Sequence, residues 1–266
     1  MKNMEEFLSL AESDTHSYIK DRFEFFANTT GKYLDKDDYV IICGDAGFIW
    51  YPTEPNPYMS EEQMKRWLEG EDSALDWLDA CPWTTLFVSG NHCNFDRLYQ
   101  LPRKEWHSGM VRVVRDSVLL LERGNIFDIC GKQFFAFGGA SSHDIRDGVF
   151  EIGDPRIEEW ARDPYKLFRI NHVSWWRREL PTSEEMMLGM DNLEKNGYKV
   201  DYIISHTMPT QFIRRLGFKD SDRLTEMFDT IYQDVEFEHW YCGHYHIERD
   251  MAPKLTICYE KIVQIM

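Results

Sequence analysis

The feature that most constrains this chain is a repeated local device: a short apolar run that stops at Gly or Ser and delivers Asp, Asn or His. Residues 39–43 run into Gly44-Asp45, residues 86–89 into Gly90-Asn91-His92, residues 202–205 into His206, and residues 240–242 into Gly243-His244-Tyr245-His246. Runs of this length read as buried strands, with the Gly marking where each one turns. A fifth segment, Ser13-Asp14-Thr15-His16, follows a shorter, polar-flanked run at residues 7–11. Polar residues gathered where strands end, with loops converging above a rigid sheet, predict an α/β fold with its site at that rim.

The residue types narrow the chemistry. Asp, Asn and His, with no adjacent cysteine pair, suit hard-to-borderline divalent cations, and a set this rich can serve two of them. Any single one of these histidines reads more simply as a satisfied structural residue, so the information lies in their joint order.

That order is Asp-x-His, Gly-Asp, Gly-Asn-His, a lone His and then Gly-His-x-His. It resembles the calcineurin-like metallophosphoesterase family in its compact bacterial form, from Asp14 to His246. Two positions depart from the family pattern: Ser17 follows His16 where Gly is common, and Cys93 follows His92 where Asp or Glu is usual. The resemblance implies a four-layer αββα sandwich of two mixed β-sheets flanked by helices. It implies two divalent ions, with Mn, Fe and Zn all open, one held by Asp14, His16 and His246 and the other by Asn91, His206 and His244. Asp45 would bridge them, since one carboxylate can span both ions of a two-metal site. The implied activity is hydrolysis of a phosphodiester or phosphomonoester.

Other residues take roles around that centre. His92, beside Asn91 and unassigned in its block, is the candidate general acid for the leaving alkoxide. His143 lies in the Gly- and Ser-rich stretch 138–146, and Arg97 carries a planar fork suited to phosphate. Both are candidate substrate contacts; turn stabilisation and pairing with a surface acid are their plainer readings. Phe48, Trp50 and Tyr51 could stack on a nucleobase, although core packing accounts for them as well.

Composition sets the limits. A net charge of -16 argues against an extended nucleic-acid surface and favours a small phosphorylated substrate, with nucleotides among the candidates. With 43% hydrophobic residues in 266, the chain can bury one core as a single domain, and residues 150–182 read as a helical excursion over the site. No long apolar segment follows a basic start, so neither a signal nor a membrane span is expected, and the scattered cysteines suggest reduced thiols in the cytoplasm. A redox-sensitive Cys93 is the sharper alternative. The oligomeric state is left open.

Two other function classes compete. A non-catalytic scaffold of the same fold would be expected to lose ligands, and the five segments here keep them all. A metal-dependent C–N hydrolase barrel would carry its His-x-His pair near the start, whereas here it comes near residue 246.

Overall fold

Strands with no polar face form the centre of the protein. The computed structural model describes residues 8–11, 19–219 and 221–265, which places Asp14 and His16 outside the described residues. β1 (Leu8–Ala11), β2 (Tyr39–Ile42), β3 (Thr84–Phe87), β4 (Arg103–Trp106), β5 (Gly109–Arg115), β6 (Val118–Leu121) and a last strand, β15 (Val263–Gln264), make one sheet in the order β15-β1-β2-β3-β6-β5-β4. A second sheet holds β7 (Asn125–Ile129), β8 (Lys132–Phe137), β11 (Tyr202–Ser205), β12 (His239–Cys242), β13 (Arg249–Ala252) and β14 (Leu255–Ile257), in the order β13-β14-β12-β11-β8-β7. The central strands pair in parallel and the outer ones antiparallel, so both sheets are mixed.

Alternation along each strand sorts the side chains into layers. Ile41, Leu86 and Leu119 of the first sheet meet Phe134, Ala136 and Ile204 of the second. The opposite faces are also apolar. Val40, Ile42 and Phe87 pack under α1 (Ile19–Asn28) and α2 (Glu61–Ala80), through Phe23, Leu75 and Leu78. Phe135, Phe137 and Trp240 pack under α5 (Ser183–Lys195), α6 (Thr210–Arg215) and α7 (Arg223–Asp234), through Leu193, Phe212 and Phe228. The result is the four-layer αββα sandwich. Burial on both faces explains why the central strands read as unbroken apolar runs.

The helix starts follow their capping chemistry. Ser60 and Gln63 form the reciprocal pair at the head of α2, Thr182 and Glu185 do so for α5, and Asp222 caps α7. Elements that carry less apolar signal are harder to read. β4 and β13 are polar edge strands, and β14 is only three residues long. The segment 150–182 contains little helix. It holds α4 (Arg156–Trp160), a 3-10 turn at Arg177–Glu179 and strand β10 (Phe168–Ile170), which pairs in parallel with β9 (Gly148–Phe150) around Phe150, Ile157 and Ile170. Phe150, Trp160 and Phe168 gather into that small cluster, while Trp176 packs into the core beneath the first sheet. α3 (Phe95–Leu98) is a single turn capped by Asn94. No helix among the described residues is long and apolar enough to cross a membrane.

Candidate metal centre

Four parallel strands, two from each sheet, end at the same rim. β2 leads to Asp45, β3 to Asn91, β11 to His206 and β12 to His244. All four residues are buried, at 1%, 5%, 0% and 8% exposure. Ligand atoms of Asp45, His206 and His244 lie within 4.8 Å of one another. Asp45 and His244 also hold left-handed backbone angles, φ 45° and 74°, which non-glycine residues adopt at a cost of about 1–3 kcal/mol and which collect at functional sites.

The hydrogen bonds fix what each group presents. The backbone N–H of His92 donates to Asp45 Oδ1 at 2.8 Å, leaving Oδ2 turned to His206 Nε2 at 3.1 Å. His206 Nδ1 lies 2.7 Å from the carbonyl oxygen of Cys43, which can only accept, so Nδ1 carries a proton. In the neutral ring the Nε2 lone pair then faces Asp45 Oδ2 and, at 3.2 Å, Asn91 Oδ1. Three electron-rich atoms converging in a buried pocket are the donor set a divalent cation would relieve, so the residues present fit a metal ion. Burial, with His206 and His143 close by, pushes the His244 imidazole well below its usual pKa and keeps it neutral, the form that binds metal.

Glycine permits this convergence. A Cβ on Gly90 would stand 1.8 Å from Asp45 Oδ1, so no other residue fits between the strand end and Asn91.

The other candidates divide. His92 lies with its ring 5.1 Å from that of Trp50; burial lowers its pKa, Asp45 opposes that, Arg169 adds to it and Asp144 opposes it. His143 comes to the centre, its ring 4.5 Å from His244 and stacked on Phe218. His246 stands outside the three-residue cluster, face to face with Tyr259 at 5.5 Å. Arg97 has a different task. Its Nη1 donates to buried Glu71 at 2.6 Å and to the Tyr51 carbonyl at 2.7 Å, while Glu71 also receives the backbone N–H groups of Trp50 and Tyr51. The pair thus clamps the 48–51 loop. Phe48 is core, packed on Phe87, whereas Trp50 bears on His92.

Burial pushes the Cys93 thiol up to about 12, which removes the thiolate a redox role needs. Sequence reasoning missed Arg169, which pairs with Asp144 beside His92, and Glu179, 2% exposed, which receives both the N–H and the hydroxyl of Ser142. No local spacing marks either one. Beside His244 a cleft of about 340 Å³ opens between Ser141, His143, Arg146, Phe218 and Tyr245.

Comparison with known proteins agrees with this geometry. A Caenorhabditis briggsae protein named lariat debranching enzyme is 25% identical over 203 residues, which is 73% of this chain and 35% of that protein. The chain therefore spans about a third of that relative's length. The model of the calcineurin-like phosphoesterase family matches residues 10–248. With that match over most of its length and a buried Asp and His cluster at the rim of two mixed sheets, the chain belongs to the calcineurin-like phosphoesterase family, metal-dependent hydrolases of phosphoesters.

Proposed function

We propose that this chain hydrolyses phosphoester bonds of a small substrate at two divalent cations that share Asp45. In this reading Asn91, His206 and His244 hold one ion, Asp14, His16 and His246 hold the other, and Mn, Fe and Zn suit the donor set equally. The observation that carries it is the convergence of Asp45 Oδ2 and Asn91 Oδ1 on the His206 Nε2 lone pair, at 3.1 and 3.2 Å. Bound divalent ions supply positive charge for the phosphoryl oxygens and the acidity that turns water into a nucleophile near neutral pH.

The chain's own residues arrange the rest. Asp45 is held by the His92 N–H, so the carboxylate and the His92 loop move as one unit. His92 acts as the general acid: burial lowers the pKa of its imidazole, Asp45 and Asp144 offset part of that, and the readily released proton goes to the leaving alkoxide. The cleft beside His244, with His143 on its wall, receives the remainder of the substrate, and its size of about 340 Å³ accords with a compact ester, a nucleotide included. The net charge of -16 favours the same class over a long polymer. Because the worm relative is named for debranching lariats, a lariat joins the substrates to be tested.

Metal-stripped protein, assayed with bis-p-nitrophenyl phosphate and p-nitrophenyl phosphate with and without Mn²⁺, tests the proposal. Cleavage restored by Mn²⁺ and absent in Asp45→Asn supports it, and the preferred ester separates diester from monoester chemistry. Metal binding without cleavage of these esters or of a lariat would overturn it.

A further inference from the structure

A chain of hydrogen bonds runs away from the metal centre through side chains that the mechanism above does not use. Asn91 Nδ2 donates to Ser142 Oγ at 3.3 Å, Ser142 Oγ donates to Glu179 Oε2 at 2.6 Å, and the Ser142 N–H donates to Glu179 Oε1 at 3.0 Å. With Glu179 ionised, as it is above about pH 7, the direction of every bond is set. The carboxylate then only accepts, so the single Ser142 hydroxyl proton goes to Glu179; the oxygen of that hydroxyl must accept, and only the NH₂ end of the Asn91 amide can give to it. The Asn91 carbonyl oxygen is thereby turned to His206 and the cation position.

Both ends of this chain are anchored. Arg123 Nη2 donates to the carbonyl oxygens of Arg178 and Glu179 at 2.9 and 3.0 Å, fixing the backbone that carries Glu179. The Gly139 N–H donates to the Ser89 carbonyl at 2.7 Å, tying the Ser142 loop to the loop that carries Asn91. A Cβ on Gly139, at φ 108°, would meet the Glu179 carbonyl at 2.4 Å, so the Gly138-Gly139 pair is what lets the three segments close on one another.

We infer that Glu179 is a positioning residue for the metal centre: through Ser142 it fixes the orientation of the Asn91 amide so that oxygen, and not NH₂, faces the cation. The inference rests on the proposed ligand set, because it gives Asn91 its orientation only if Asn91 binds metal. Glu179 is 2% exposed, and burial pushes its carboxyl up to about 7. The protein thus retains a costly buried acid where an apolar or amide side chain would fill the same space. A polarity requirement accounts for that choice.

Reversing the polarity without changing the shape gives the test. In Glu179→Gln the new amide can donate to Ser142 Oγ, which then donates to the Asn91 oxygen and turns the NH₂ toward the cation. Mn²⁺ titration above the Glu179 pKa, at about pH 8, of metal-stripped wild type, Glu179→Gln, Ser142→Ala and Asn91→Ala, with the melting temperature of each metal-free protein, reads the effect. We expect Glu179→Gln to bind Mn²⁺ about tenfold more weakly, as loss of an outer-shell partner does, while its metal-free form melts at or above the wild-type temperature. Ser142→Ala should weaken binding in the same direction. A residue that only packs would lower both quantities together. If Asn91→Ala weakens Mn²⁺ binding while Glu179→Gln and Ser142→Ala bind like wild type, the relay is wrong and the ligand set stands. If Asn91→Ala itself binds like wild type, the ligand set is wrong and the relay falls with it. Should Glu179→Gln show no cooperative melt, Ser142→Ala decides between these outcomes.

Discussion

The backbone N–H of His92 donates to Asp45 Oδ1 at 2.8 Å, so the proposed proton donor and the proposed bridging carboxylate are joined by one bond between two strand ends. Asp45→Asn keeps the shape of that contact but removes the charge that gathers cations. Mn²⁺-dependent cleavage of bis-p-nitrophenyl phosphate should fall by about 100-fold or more, with metal content falling in parallel. Full metal occupancy in the variant would count against the bridging role.

His92→Asn separates metal binding from proton donation. Its backbone N–H is retained, so Asp45 stays in place and metal content should match wild type. Turnover of an ester with a poor leaving group should drop by about 10² to 10⁴, and that of a p-nitrophenyl ester much less, because a good leaving group needs no proton. Equal losses on both esters would remove His92 from that role.

Arg97→Ala tests whether that arginine serves the Glu71 clamp or the substrate. Glu71 is 1% exposed at its side chain and would be left as a buried unpaired charge, at a cost of about 3 kcal/mol. Unfolding should therefore shift to markedly lower denaturant. KM for a phosphoester should stay within about twofold, a change too small to mark a lost phosphate contact. A large rise in KM at unchanged stability would restore the substrate reading.

Glu179 gives a pH dependence with a definite sign. Its carboxyl is raised from 4.5 to about 7 in the folded protein, so between those values the native state keeps a proton that the unfolded chain has released. Stability from this group therefore falls as pH rises across that window, by about 3 kcal/mol in total. In metal-free protein, Glu179→Gln should gain on wild type by about that amount between pH 4.5 and pH 7.5. Parallel stability curves from urea unfolding would contradict it.

Cys93 should be inert. It is 3% exposed, and its thiol is pushed up to about 12. Iodoacetamide on the native protein should leave it unmodified over hours at pH 7.5 while modifying it readily in denaturant, and Cys93→Ser should respond to peroxide as wild type does. Mass spectrometry of the tryptic peptide reads the result.

The chain showed its central strands and part of its centre because both are written locally, whereas the four-layer arrangement came from the family resemblance. β2, β3, β11 and β12 are short apolar runs, and each hands over to Gly or Ser and then a ligand-type residue within a few positions. Capping at Ser60 and Thr182 is likewise a matter of neighbours three residues apart. What was illegible joins distant segments. Glu71 and Arg97 lie 26 residues apart, Ser142 and Glu179 37 apart, and neither pair leaves a mark in the windows between. Arg97 looked like a phosphate contact because its residue type fits one, while the buried acid that claims it sits on a helix whose other exposed acids give no hint of which is inside. The 150–182 segment misled for a related reason: Arg169 is spent on an ion pair with Asp144, Trp160 on the Phe150 cluster and Trp176 on the core beneath Trp50, all partners that lie away from their own local windows.

The proposed ligands come from the ends of strands in both sheets, so a cation there would be a tie across the middle of the sandwich as well as a chemical tool. Chelation should then do more than silence the protein. It should lower the melting temperature in step with free metal concentration and make the backbone amides of β3 and β11, which flank the tie on either side, the first in the core to exchange with solvent.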